Sequence, residues 1–215
     1  MVRDETFLVL GGGGMVGLQV VRQIARDLYP RRVVVASLYQ QEVRQALAEL
    51  EREFPAVHFV GFWGDVFLRA EWNTHDRRHK ITRADLLKTP EHRTDLYDDL
   101  FGDPDAAYAR SQLVQLILEH RPDVVVDSIN TATAISYQDV QTASVRARAG
   151  FGELSAQLAA DPGHAAASGA AEHAERALEE LIISQSVPQL IRHTILVHRA
   201  LAEVGTRLYI KIGTP

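Results

Sequence analysis

The stretch Phe7–Val21, FLVLGGGGMVGLQVV, constrains this chain more than any other. A short apolar run ends in four consecutive glycines, and a helical pattern begins straight after them. Consecutive glycines are costly in backbone entropy, so the fold must need bare backbone here. Thr6–Leu10 reads as a buried parallel strand. From Met15 the period changes. Val16, Val20, Ile24 and Leu28 recur every fourth residue and share one helix face, and Pro30 stops that helix. A tight turn from strand into helix aims backbone N–H groups and the positive helix end at one point, where an anion binds.

The alternation continues. Arg32–Ser37, RVVVAS, is β-branched and reads as a second strand. Val43, Leu47 and Leu50 mark a helix ending near Pro55, and a third strand runs around Val57 to Gly61. Strands alternating with helices imply a parallel sheet with right-handed crossovers. Residues 67–107 break the pattern. They are charged, are punctuated by Pro90 and Pro104, and read as an excursion with short helices of its own. Regularity returns with Leu113, Leu116, Ile117 and His120 on one helix face, then a fourth strand over Val124–Ile129. Gln138–Leu158 is expected as a helix with a break near Gly150 and Gly152, and Ala174–Gln185 as another. Pro188 opens a further helix with Leu190, Thr194, Val197, Leu201 and Val204 on one stripe and Gly205 as its cap. Arg207–Gly213 reads as a fifth strand. The expected fold class is α/β: one domain over residues 1–215, a Rossmann-like doubly wound parallel sheet of about five strands, with helical insertions near 67–107 and 143–180.

Composition narrows the function classes. The net charge of -5, with scattered basic residues, does not suggest a nucleic-acid partner. The absence of cysteine excludes disulfides, thiolate metal sites and a cysteine nucleophile. The apolar runs are too short to span a bilayer. The N-terminus MVRDETFLVL lacks a signal-peptide pattern, so a cytoplasmic protein without a membrane partner is expected. His75 and His79 have helical metal-ligand spacing but no third ligand, so a solvated loop and no metal are expected. His193 and His198 point different ways on a helix, and His198 reads as a packed histidine.

Gly12, Gly14 and Gly17 fit G-x-G-x-x-G, and Gly11, Gly14 and Gly17 fit G-x-x-G-x-x-G. In either register one glycine turns the chain, one bares the backbone for a dinucleotide pyrophosphate, and Gly17 lets the helix pack close to the strand. At the end of the second strand Ser37 or Leu38 stands where an NAD enzyme usually carries an acid. With Arg44, Arg31 and Arg32 nearby, this leans towards NADP over NAD. The alternative is that Glu42 supplies the ribose contact and the cofactor is NAD. After the third strand, in Gly64–Val66, Asp65 can hydrogen-bond an adenine edge and Val66 can cover its face.

With these points in register, the chain resembles the short-chain dehydrogenase/reductase superfamily. It is most similar to the extended, NAD-dependent epimerase/dehydratase-like branch. LGGGGMVG carries the glycine motif and GDV the adenine-side motif. PDVVVDSINTATA resembles the fourth strand and the loop under the nicotinamide ribose. RHTILVHRALAEVGTRLYIKIGT resembles the segment leading to the family's catalytic serine or threonine. The resemblance implies a phosphate loop of Gly11, Gly12, Gly14, Met15, Val16 and Gly17. It implies Ser37 at the adenosine ribose, Asp65 and Val66 flanking adenine, and Ser128, Asn130 and Thr131 near the second ribose. Thr214 would stand near the catalytic Ser/Thr position. The implied function is an NAD(P)-dependent oxidoreductase, or an epimerase/dehydratase-like protein, using hydride transfer on an unknown small-molecule substrate.

One departure bears on that chemistry. The family uses Tyr-x-x-x-Lys, in which the lysine lowers the tyrosine pKa. The residues four after Tyr29, Tyr39, Tyr97, Tyr108, Tyr137 and Tyr209 are Val33, Val43, Phe101, Gln112, Gln141 and Gly213, and the only lysines are Lys80, Lys88 and Lys211. Two alternatives therefore stand: a non-catalytic NAD(P)-binding sensor or scaffold, and the nucleotide-binding fragment of a longer dehydrogenase. A homo-oligomer or the remainder of a longer chain is the expected protein partner.

Overall fold

The sequence alternates in period, and the backbone follows it. The computed structural model describes residues 3–73, 83–129, 140–160 and 169–213. In chain order these form β1 (Arg3–Leu10), α1 (Met15–Leu28), β2 (Pro30–Ser37), α2 (Gln40–Glu53) and β3 (His58–Trp63). A single 3₁₀ turn (Ala70–Trp72), α3 (Arg83–Leu86), α4 (Pro90–Phe101), α5 (Pro104–Arg110), α6 (Gln112–His120) and β4 (Val124–Asp127) follow. The chain continues with α7 (Val140–Ala160), α8 (Ala170–Ile183), α9 (Ser186–Val204) and β5 (Leu208–Lys211).

The five strands form one sheet in the order β3-β2-β1-β4-β5, and every pairing is parallel. The order reverses direction between β1 and β4. In open α/β sheets a ligand crevice lies at the C-terminal strand ends beside such a switch point. Alternate residues of each strand enter opposite cores. Phe7, Val9, Val33, Val35, Val124 and Val126 pack with Val21, Ile24, Ala46 and Leu50 of α1 and α2. Leu8, Leu10, Val34, Ala36 and Val125 pack with α6 and with Val197 and Ala200 of α9. Both faces of the central strands β1, β2 and β4 are therefore covered, which is why these strands read as unbroken apolar runs, whereas β5 leaves Leu208 and Ile210 exposed. Each fully buried leucine of this core, such as Leu8 or Leu10, contributes roughly 1.5–3 kcal/mol of transfer free energy.

Several expected boundaries shift for identifiable reasons. Tyr29, in the left-handed region at φ 49°, caps α1, and Pro30 is the first residue of β2, where a missing N–H is tolerated. The expected break near Gly150 and Gly152 is absent, because α7 runs unbroken. A Cβ on Gly150 would lie 3.1 Å from Cα of Ala174, so this glycine allows α7 and α8 to approach closely. The stripe expected on α9 holds only in part: Val197 is buried, whereas Leu190 is exposed. His198 is exposed rather than packed. Gly205, at φ 78°, follows α9 as expected of a C-terminal cap.

The chain divides into two compact units. The first, Met1–Lys80, Tyr108–Thr131 and Thr194–Pro215, contains the sheet. The second draws on Ile81–Ala107 and Ala132–His193. Within it, buried Arg93 pairs with Glu179 at 2.5 Å and donates to the Leu87 carbonyl. Arg192 donates to the carbonyls of Leu100 and Gly102. Ala147, Ala170, Ala174 and Ala177 are buried, so small side chains set the spacing of α7 and α8. Among the described residues no helix is long and apolar enough to cross a membrane.

Candidate functional site

The glycine turn sits between the end of β1 and the start of α1, and each glycine has its own physical reason. Gly11 adopts φ 76°, a left-handed conformation that suits glycine, and a Cβ there would lie 2.9 Å from Ser128 Oγ. Gly12 donates to the Ala36 carbonyl at 2.9 Å, and its Cβ would press on Val35 and on the Val9 carbonyl, both at 3.0 Å. A Cβ on Gly13 would lie 3.0 Å from Ser37 Cβ and 3.2 Å from Glu42 Cβ. A Cβ on Gly17 would overlap the carbonyl oxygen of Gly11 and lie 2.8 Å from Cα of Gly12, so α1 packs directly on the turn.

Gly14 differs. Among the described residues its Cβ would meet only the Gly11 carbonyl oxygen, at 3.3 Å, and its φ of -80° is open to any residue. It is the N-cap of α1, yet it provides no side-chain cap, and the first turn of α1 carries no acid. Serine or aspartate would cap better. The first N–H groups of any helix lack intrahelical partners, and here they meet the positive end of the helix dipole without a protein carboxylate in that turn. Met15 and Val16 follow, 87% and 56% exposed, an apolar pair left at the rim of the turn.

The end of β2 lies against this turn. Ser37 Oγ donates to Glu42 Oε2 at 2.5 Å, and Glu42 belongs to the first turn of α2. A carboxylate therefore stands beside Gly13. Arg31 and Arg32 occupy the opposite end of the strand. Arg31 pairs with Asp4 at 3.0 Å, and Arg32 donates to the His120 carbonyl. At about 3.3 Å per residue they are too far from Ser37 to serve a ligand there. Arg44 lies on α2 and is exposed.

Beyond β3, Asn73 builds the turn that carries Asp65. Its Oδ1 accepts the Asp65 N–H at 2.7 Å, and its Nδ2 donates to the Asp65 and Arg69 carbonyls. Asp65 Oδ1 accepts the Phe67 N–H at 3.0 Å. Val66 is buried in the apolar cluster beneath the sheet, 6% exposed. At the end of β4, Ser128 donates to the Leu10 carbonyl from both its N–H, at 2.9 Å, and its Oγ, at 2.7 Å.

Gly11, Gly12, Gly14, Met15, Val16, Gly17, Ser37, Asp65 and Ser128 thus gather at one edge of the sheet, the C-terminal ends of β1 to β4. Asn130, Thr131, Thr214, His75 and His79 lie outside the described residues. Among the described residues no group of three His, Asp or Glu could hold a metal ion.

Two groups were not singled out in the sequence. Asp127, the last residue of β4, is 1% exposed. Its Oδ2 accepts from the Tyr209 hydroxyl at 2.7 Å, and its Oδ1 pairs with Lys211 Nζ at 3.0 Å. Tyr209 and Lys211 are two apart on β5 and so share a face. This Tyr–Lys pair does not reproduce the pairing that lowers a tyrosine pKa: burial, then the Asp127 charge, push the Tyr209 phenol up. Tyr108 donates to Glu203 at 2.7 Å. Burial and then Glu203 push it to about 12. Asn73 is another residue missed, because it reaches back across the turn to Asp65 rather than bonding its own neighbours as a local amide turn does.

No family model matches the chain, and no curated protein does. Solved structures with a similar chain trace include Pen from Bacillus thuringiensis, at 11% identity and TM-score 0.37 over 99% of this chain and 50% of that one. This chain therefore spans half the length of that protein. The bulky-bulky ketone specific alcohol dehydrogenase from Comamonas testosteroni is 11% identical, with TM-score 0.39 over 100% of this chain and 76% of that one. A short-chain dehydrogenase from Sphingobium yanoikuyae, in complex with NADPH, is 12% identical, with TM-score 0.38 over 98% and 71%.

Proposed function

We propose that this chain binds a nicotinamide adenine dinucleotide across the C-terminal edge of its sheet and acts as an NAD-dependent oxidoreductase of the short-chain dehydrogenase/reductase kind. The observation that carries the reading is the contrast between Gly17 and Gly14. The protein's own packing requires Gly17. Among the described residues a Cβ on Gly14 would press only on the Gly11 carbonyl oxygen, at 3.3 Å, far from the overlap found at Gly17, and a capping residue would stabilise α1 better. A pyrophosphate against bare N–H groups supplies the missing reason.

In this reading the turn from Gly12 to Gly17 holds the pyrophosphate, and Met15 and Val16 cover it. Asp65 meets the adenine edge, and Ser128 lies towards the second ribose. Glu42, oriented by Ser37, takes the hydroxyls of the adenosine ribose. A carboxylate there repels a 2′-phosphate, so the preferred cofactor is NAD, against the lean from Ser37 and the arginines alone. When bound, the nicotinamide supplies hydride donation or acceptance. A small alcohol or carbonyl compound is the proposed substrate class, and epimerase or dehydratase chemistry of the extended branch belongs to the same proposal.

A second reading, a dinucleotide sensor without turnover, is favoured by one observation. Tyr108 and Tyr209 are both engaged as donors to carboxylates and both pushed up, so neither is a ready proton-transfer group near neutral pH. Titration with NADH and NADPH, followed by turnover assays on a panel of alcohols and ketones, separates the two. Binding with turnover supports the enzyme, binding without turnover supports the sensor, and binding of neither cofactor contradicts both.

A further inference from the structure

The turn after β4 is fastened on both sides, and the fastening on the β5 side has no role in the reading above. Asp127 Oδ1 accepts the Ile129 N–H at 2.9 Å and pairs with Lys211 Nζ at 3.0 Å. Lys211 Nζ also donates to the Ile129 carbonyl. One ammonium thus bridges the Asp127 side chain and the Ile129 backbone. Asp127 and Lys211 are register partners on β4 and β5, and Ile212 N–H donates to the Asp127 carbonyl at 2.8 Å. On the other side, Ser128 is tied twice to Leu10. A Cβ on Gly11 would lie 3.3 Å from the Ile129 nitrogen. Ile129 therefore lies beside Gly11 with its nitrogen and meets Lys211 with its carbonyl.

We infer that the Asp127–Lys211 pair is a latch that holds the Ser128–Ile129 turn against the glycine loop, and that Lys211 is a positioning residue for the half of the dinucleotide beyond the pyrophosphate. This rests on the dinucleotide reading. The adenosine half is served by β2, α2 and the turn after β3, none of which carries the latch. The nicotinamide half must pass the end of β4, which does. Burying the Asp127 carboxylate at 1% exposure demands compensation, but compensation alone does not require the same ammonium to bind the Ile129 carbonyl. That second bond fixes the turn rather than the charge.

The two roles predict different ligand profiles. The experiment is a calorimetric titration with NADH and, separately, with ADP, on the wild type and on Lys211→Met, Lys211→Arg and Tyr209→Phe. For Lys211→Met the latch predicts that NADH affinity falls roughly tenfold, the scale of a charge-assisted hydrogen bond, while ADP affinity stays within about twofold. Lys211→Arg restores part of the NADH affinity. Tyr209→Phe lowers the melting temperature but leaves the NADH to ADP ratio unchanged, because the lost hydroxyl donates to Asp127 Oδ2 and not to the Oδ1 that meets Lys211. If Lys211→Met does not fold, Asp127→Asn with Lys211→Met leaves no buried unpaired carboxylate, and the same loss of NADH over ADP is expected. Unchanged NADH affinity in these variants, or NADH and ADP affinities falling together with stability, would overturn the latch. A wild type that binds ADP but not NADH would overturn the dinucleotide reading, and the latch with it.

Discussion

A Cβ on Gly17 would lie 2.7 Å from the carbonyl carbon of Gly11, whereas a Cβ on Gly14 would lie 3.3 Å from that residue's carbonyl oxygen, its nearest neighbour among the described residues. The two glycines stand three residues apart in one loop and answer to different demands. Gly17→Ala must push backbone against backbone, which no rotamer change relieves. It should lower stability by about 3 kcal/mol, the upper end of overpacking costs, and urea denaturation measures this. Gly14→Ala should be within about 1 kcal/mol of wild type, because its backbone conformation accepts alanine.

The carboxylate of Glu42 decides between the two cofactors if it faces the ribose. Glu42→Gln keeps the shape and removes the charge that repels a 2′-phosphate. Like-charge juxtaposition costs on the order of several kcal/mol, so the variant should narrow the preference for NADH over NADPH at least about tenfold. Ser37→Ala should act in the same direction and more weakly, since it frees Glu42 without removing it. An unchanged ratio of dissociation constants in Glu42→Gln would remove this residue from the site.

Tyr108 makes the fold sensitive to alkali. Its phenol is pushed to about 12 by burial and by Glu203, with Arg199 stacked over the ring and opposing the shift. The folded state therefore keeps a proton that the unfolded state releases near pH 10. Stability from this group is fully present below pH 10 and is lost as pH rises towards 12. Tyr108→Phe should show a shallower loss of stability over that window, measured by urea denaturation at several pH values.

His120 works at the other end of the scale. Burial pushes its imidazole below the ordinary value of 6.5, with the Arg32 charge adding to the shift and Glu119 opposing it. The unfolded chain takes up a proton that the folded chain resists. Stability should therefore be intact above pH 6.5 and decline as pH falls below it. His120→Gln should flatten that decline.

What the sequence made legible follows from the range of the interactions. Gly11, Gly12, Gly14 and Gly17 could be read because strand, turn and amphipathic helix are contiguous. Gly13 could not, because its neighbours Ser37 and Glu42 come from another βα unit. Asp127 and Lys211 meet only through the register of β4 and β5; the cue was present in Tyr209 and Lys211, two apart on one strand face. The stretch 67–107 resisted periodicity because α4 carries apolar residues on no clear face. Its start was nonetheless signalled by Thr89-Pro90: Thr89 accepts the His92 N–H as N-cap, and Pro90 opens the helix. Gly150 was misread as a helix breaker, since its close neighbour Ala174 lies on the next helix.

Calorimetric titration of the wild type and Gly14→Val with NADH and NADPH, alongside their unfolding curves, tests the dinucleotide site most directly. The wild type should bind NADH saturably and in preference to NADPH. Gly14→Val should fold but no longer bind either. Binding by Gly14→Val equal to that of the wild type, or no binding by a folded wild type, would contradict a dinucleotide site at the glycine turn.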